Sequence, residues 1–168
     1  MVQQLKKSLL DVIQKSISIE YSAYFTYRQA GHWFDKHHLP GTSSFCFRQA
    51  EGEFSHAKSL EEYVMKRGDL VILNQPNINQ TLVTDIWRTN QEVFHHLFQL
   101  EQENYKLYEE NSKIARQEED EVTLRLFTDI LDQQLTELQE FEVIMSKVKA
   151  YSAVPGLFYH LDHELRKA

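Results

Sequence analysis

Apolar residues recur at intervals of three and four along most of this chain, and the stripes they draw predict four long helices and a short fifth. The first helix runs from about Gln4 to Phe34, with Leu5, Leu9, Val12, Ser16, Glu20, Ala23, Tyr27, Ala30 and Phe34 on one face, and stops ahead of Pro40-Gly41. The second runs from about Thr42, read as its N-cap, to Arg67, with Gly68 as the stop signal. It carries two adjacent stripes, Cys46, Gln49, Glu53, His56, Leu60, Tyr63 beside Phe47, Ala50, Phe54, Ala57, Val64. Two such faces predict burial on two sides, one against the core and one against another subunit. The third helix runs from about Trp87 to Ala115, with Trp87, Phe94, Leu97, Glu101, Tyr108 and Ala115 facing inward. The fourth spans about Glu118 to Ala150 along Leu124, Phe127, Leu131, Gln134, Leu138, Phe141, Met145 and Val148. After Pro155-Gly156, Leu157, Leu161 and Leu165 mark the short last helix.

The segment between the second and third helices, Asp69 to Asp85, holds Pro76 and the amides Asn74, Gln75, Asn77 and Asn79. It is too long for a tight turn. Extended at ~3.3 Å per residue it reaches ~55 Å, beyond the ~39 Å length of the second helix. It is therefore read as a crossover that carries the chain to the far end of the bundle. The expected fold is all-α: a four-helix bundle with a long crossover between helices 2 and 3 plus a short C-terminal fifth helix. One domain spans 1–168, with the bundle in 1–150 and the short helix in 151–168.

Each long stripe has a polar interruption near its midpoint: Glu20, Glu53 with His56, Glu101, and Gln134 with Glu137 one turn on. Helices packed side by side bring their midpoints level, so these groups are expected in one central layer. Ionised carboxylates inside a protein cost several kcal/mol each, and crowding adds repulsion. No lysine or arginine lies on the stripes near this layer, whereas two divalent cations would balance four carboxylates. Glu53-x-x-His56 aims an oxygen and a nitrogen from one helical face at one point, and this motif with carboxylates from neighbouring helices is the ligand set of di-iron bundles. Oxygen-rich ligation with a single nitrogen favours iron or manganese over zinc. Glu20, Glu53, His56, Glu101, Gln134 and Glu137 are the candidate metal residues. Tyr27, two turns after Glu20, is a core tyrosine whose hydroxyl needs a partner; a ligating carboxylate would serve, and the ring could supply an electron.

Composition narrows the field. A net charge of −7 with no basic patch excludes a nucleic-acid partner, and no apolar run approaches the ~18 residues of a membrane span. The single cysteine, Cys46, has no partner within the chain and reads as a buried thiol in a reducing compartment. The first sixteen residues read as the start of a helix rather than a signal peptide. The expectation is a cytoplasmic protein, or an organellar one where a transit peptide has been removed.

The stretches I-S-I-E-Y-S-A-Y-F-T-Y (17–27), E-G-E-F-S-H-A-K-S-L (51–60), L-E-Q-E-N (100–104) and L-D-Q-Q-L-T-E-L (131–138) fall in the order and spacing of a ferritin, which the chain resembles from about Leu5 to Arg166. The resemblance implies that Glu20 and His56 hold a first iron and that Glu53 bridges to a second. Glu101 then binds that second iron, Gln134 is an amide close by, and Glu137 matches a glutamate that prokaryotic and some algal ferritins add there. Glu53 and Tyr27 are the residues expected to serve the reaction itself. It implies oxidation of Fe(II) by dioxygen, two iron ions per subunit, and storage as ferric mineral in a homo-oligomeric 24-mer cage. Leu157, Leu161 and Leu165 would converge at its four-fold axes. Phe54 stands where haem-binding bacterioferritins carry methionine, so no haem is expected. Gly52, Ser55, Lys58 and Gln133 replace acidic residues of other ferritins, which leaves mineral nucleation and a third iron site unsupported. Leu124 and Phe127 replace the acidic pair of animal three-fold channels.

Three other readings stay open on the sequence: a structural cage subunit, a small di-iron oxidase of an organic substrate, and a metal-free interaction bundle.

Overall fold

The computed structural model describes residues 3–74 and 87–166, which form five α-helices: α1 (Lys7–Lys36), α2 (Pro40–Lys66), α3 (Asn90–Gln117), α4 (Glu121–Ser152) and α5 (Phe158–Leu165). No strand occurs among the described residues, and no helix is long and apolar enough to cross a membrane.

Helix starts differ from expectation for local reasons. Thr42 is not the N-cap of α2. Pro40 opens that helix, where its missing N–H costs nothing, and Leu39 caps it without a side-chain bond. The third helix starts at Asn90 rather than Trp87 because Thr89 and Glu92 close a capping box. The fourth starts after Asp120, whose carboxylate accepts the Thr123 N–H at 3.0 Å. Three helices end on the same six-to-one backbone bond: Leu39 to Phe34, Asp69 to Val64 and Asp120 to Ala115. The left-handed residue each ending needs is Gly68 (φ 77) after α2, but His38 (φ 60) and Glu119 (φ 57) after α1 and α3.

Cross-helix pairs give the helix directions. Ser43 donates to Gly31 O, and Tyr21 donates to Glu61, so α1 and α2 are antiparallel. Asn111 donates to Ser16 at 2.8 Å while Phe34 packs on Phe94, so α1 and α3 are antiparallel as well. It follows that α2 and α3 are parallel. The chain leaves α2 beside Leu5, whose N–H bonds Asp69 at 2.9 Å, and re-enters at Trp87, whose carbonyl accepts from Trp33 near the opposite end. A crossover joins them; its residues 75–86 lie outside the described set.

The core divides into two apolar blocks. One holds Phe34, Phe45, Phe94, Phe141 and Leu161; the other holds Leu9, Ile13, Leu60, Val64 and Phe127. On α4 only the period-seven positions Phe127, Gln134, Phe141 and Val148, with Thr123, are fully buried; Leu124, Leu131, Leu138 and Met145 are half-buried.

The last helix departs from the expected convergence of its leucines. Leu161 and Leu165 are buried within this chain's own core, at 1% and 4% exposure, while Leu157 stays exposed. Buried leucines are not available to line an axis between subunits. Asp162 explains the docking: its carboxylate accepts the N–H groups of Thr42 (2.7 Å) and Gly41 (3.2 Å) and the Thr42 hydroxyl (2.8 Å). A residue 120 positions away thus supplies the anionic cap that α2 lacks locally.

Candidate metal centre

Between the two apolar blocks lies the polar layer. Glu53 is the central residue of α2, and Glu20 and Glu101 sit near mid-length of α1 and α3. All three are at most 2% exposed. Two groups of ligand atoms form, each with all atoms within 4.8 Å of one another: Glu20, Glu53 and His56, then Glu53, Glu101 and Glu137. Glu53 belongs to both. His56 Nδ1 is 3.7 Å from Glu20 and 3.4 Å from Glu53. Gln134 is fully buried one turn before Glu137, and neither atom of its amide has a partner.

Tyr27 is also fully buried, and its hydroxyl donates to Glu101 Oε1 on α3. The sequence had put it on Glu20's own stripe; the bundle turns it across to the neighbouring helix. Two further residues emerge only from the structure. Tyr108 donates to Glu20 Oε1 at 2.5 Å, and Asn104 is buried one turn from Glu101 with its Nδ2 unpartnered. A signal for both existed, since 101, 104, 108 and 111 continue one helical stripe, but it read as packing.

The bonding shows what the layer lacks. Among the described residues, every buried side-chain nitrogen or oxygen without a hydrogen-bond partner belongs to this layer: Glu20 Oε2, Glu53 Oε2, His56 Nδ1, Glu101 Oε2, Asn104 Nδ2 and both amide atoms of Gln134. Each such group ordinarily costs about 1–3 kcal/mol, more when charged. Glu20 and Glu101 each give one oxygen to a tyrosine and leave the other free. Three carboxylate oxygens, the His56 ring nitrogen and the Gln134 amide oxygen are therefore collected in a buried space as unpartnered electron-pair donors, with two amide NH2 groups beside them. That is the donor set a cation needs.

The charges split accordingly. Burial, then the neighbouring charges of Glu20 and Glu101, raises the Glu53 carboxyl well above the usual range. Burial also lifts Glu101, helped by Glu137 and against the Tyr27 bond, to about 7. Burial raises Glu137 too. Burial pushes Glu20 in the same direction, but the close approach of His56 and Glu53, with the Tyr108 bond, outweighs it and holds Glu20 low. His56 is depressed by burial yet raised overall by Glu20. Charge is therefore favoured on Glu20 and disfavoured on Glu53. A small recess of about 30 Å³ beside the layer is lined by Gln49 of α2, Glu101 of α3, and Glu137 and Glu140 of α4.

The remaining histidines lie elsewhere. His32, His37, His38, His95, His160 and His163 are exposed, and half-buried His96 accepts from Trp87 Nε1 at 3.0 Å. Cys46 is buried, with its thiol pushed above its ordinary range by burial.

A family model described as a ferritin-like domain matches residues 10–150. The bacterial non-haem ferritin of Bacteroides fragilis (strain 638R) is 26% identical over 161 residues, covering 96% of this chain and 98% of its own. That of Staphylococcus aureus (strain USA300) is 26% identical over 164 residues, covering 96% and 95%. Among solved structures, apo-ferritin from Pseudo-nitzschia multiseries superposes with a TM-score of 0.88 at 22% identity, over 94% of this chain and 98% of its own. That last likeness is one of fold.

Proposed function

This chain belongs to the ferritin family, and from that premise we propose that it stores iron and that its central layer is a ferroxidase site. In this reading Glu20, Glu53 and His56 hold one Fe(II), and Glu53, Glu101 and Glu137 hold a second. Glu53 bridges the pair and Gln134 orients the second position. The observation that carries the proposal is the pair of ligand groups sharing Glu53, in a layer containing every unpartnered buried side-chain atom of the described residues.

The chemistry follows from the donors. Two Fe(II) ions neutralise the carboxylates and displace the protons held by Glu53 and Glu101, because ligands bind metal in their deprotonated form. Dioxygen then takes one electron from each ion and leaves two Fe(III). A paired site removes two electrons together, so no one-electron oxygen product is set free. Glu53 sets the separation of the ions.

Assembly into a 24-mer cage completes the proposal, in the cytoplasm, where a lone thiol such as Cys46 stays reduced. Half-buried Phe47 and Phe54 on α2, with exposed Phe25 on α1, form the face that another copy would cover. No residue is assigned to haem.

Anaerobic titration with Fe(II), followed by oxygen, tests the reading. Two ions per chain should bind, and oxygen should produce a rapid rise in ferric absorbance. Glu53→Ala should abolish that fast phase. Equal rates in both proteins would overturn the catalytic assignment, and size-exclusion chromatography showing a monomer or dimer would overturn the cage.

A further inference from the structure

Two tyrosines stand in reciprocal positions about the central layer. Tyr27 follows Glu20 by seven residues on α1, and Tyr108 follows Glu101 by seven on α3. Because α1 and α3 are antiparallel, each reaches the other's glutamate: Tyr27 donates to Glu101 Oε1, and Tyr108 donates to Glu20 Oε1 at 2.5 Å. Both rings are fully buried, the second oxygen of each glutamate is unpartnered, and each glutamate belongs to a ligand group. The two ends of the site are thus furnished alike, each with one carboxylate held by one phenol.

We propose that Tyr108 is a second redox tyrosine of this site, giving an electron beside the Glu20 position as Tyr27 gives one beside Glu101. The inference rests on the ferroxidase reading above. A buried phenol does not lose an electron alone, since the cation left behind would be uncompensated in a low-dielectric interior. It does so when its proton leaves at the same moment, and the hydrogen-bonded carboxylate is the acceptor. The Tyr108 O–H already points at Glu20 Oε1 along a 2.5 Å hydrogen bond, so the acceptor for its proton is in place when the electron departs.

The balance closes on dioxygen. Two Fe(II) becoming two Fe(III) supply two electrons, which takes dioxygen only to hydrogen peroxide. Tyr27 and Tyr108 supply one each, their O–H groups becoming neutral phenoxyl radicals while their protons pass to Glu101 and Glu20. Four electrons, with four protons drawn from water, convert dioxygen to two waters, while the phenol protons stay on Glu101 and Glu20. A later Fe(II) returns an electron to each radical, and the glutamate returns the proton. Tyr21 makes a similar bond to Glu61, but it is half-buried and Glu61 belongs to neither ligand group, so it serves as the control.

The test uses the assembled full chain, loaded anaerobically with Fe(II), mixed with oxygen and freeze-quenched for electron paramagnetic resonance, with released hydrogen peroxide assayed in parallel. The wild type should show a neutral tyrosyl signal in the first turnover. Tyr108→Phe should still bind two Fe(II), lower the radical yield about twofold if the two sites act independently, and release more peroxide. Tyr27→Phe should do the same, the double variant should lose the signal, and Tyr21→Phe should match the wild type. Radical and peroxide yields unchanged in Tyr108→Phe would overturn the proposal, as would loss of Fe(II) binding in that variant, which would mark a purely structural hydroxyl. A wild-type chain that binds no Fe(II) pair exposes failure of the ferroxidase reading itself, before oxygen is added.

Discussion

His56 Nδ1 lies 3.4 Å from Glu53 Oε2, one turn apart on α2, and neither atom has a hydrogen-bond partner. A helix presents residues i and i+3 on one face, so the pair converges without help from the rest of the fold. What the fold adds is enclosure by Glu20, Glu101 and Glu137, and with it the predictions that follow.

Removing one carboxylate from the second ligand group should separate the two metal positions. Glu137→Gln keeps the side-chain volume but removes a charge. We expect the Glu20 position to bind Fe(II) nearly as before, with the other weakened about tenfold or more. Calorimetric titration should show the stoichiometry falling toward one ion per chain; two undiminished sites would refute the role of Glu137.

The metal-free chain should lose stability as pH rises from about 5 to 8. Glu53 and Glu101 have folded pKa values above their unfolded ones, so the folded state binds more protons and each rise in pH favours unfolding. His56 acts in the same direction, since its raised pKa gives stability below the unfolded value that is lost as pH climbs. Glu20, held low, contributes above its unfolded value and opposes only on the acid side. For Glu101, going from 4.5 to about 7 corresponds to ~3 kcal/mol. Scanning calorimetry with chelator should show the slope, and Fe(II) under argon should flatten it while releasing protons to the buffer.

The seating of α5 should depend on Asp162. Asp162→Ala strips two backbone N–H groups and the Thr42 hydroxyl of their acceptor inside the protein, a loss of ~3 kcal/mol. Gly41→Ala should be comparably harmful by another route, because its new Cβ would lie 1.9 Å from the Asp162 carbonyl oxygen. Urea denaturation reads both, and limited proteolysis between α4 and α5 should accelerate in each variant.

Arg67 ties the opposite end together. Its guanidinium donates to Gln3 O, the Tyr63 hydroxyl, Thr123 and both Asp120 oxygens. A lysine has no such fork, so Arg67→Lys should cost ~2–3 kcal/mol despite keeping the charge. Denaturant midpoints for Arg67→Lys and Asp120→Asn, with the double variant, would show the coupling as non-additivity.

Sequence patterning reached most of the architecture and the outline of the site. The stripe through Leu9, Glu20, Tyr27 and Phe34 was readable because helical period is a local property, and a glutamate interrupting it stands out. The turn after α3 was not readable, since Glu119 takes a left-handed conformation that composition would assign to glycine. Tyr108 passed as packing, and Asn104 was not singled out, because an inward polar residue reveals its partner only once a neighbouring helix is in place.

Residue order alone dictated the five helices, the parallel course of α2 and α3, and which acidic side chains share a level, because each of these follows from spacing along one helix and from loop length. Only the folded bundle decided that Tyr108 reaches Glu20 and Tyr27 reaches Glu101, that charge is favoured on Glu20 over Glu53, and that Asp162 caps α2 and hides Leu161. Those pairings depend on how far each helix is rotated and shifted against its neighbours. Rotation and shift are settled by packing across the core, between residues up to 121 positions apart in the chain.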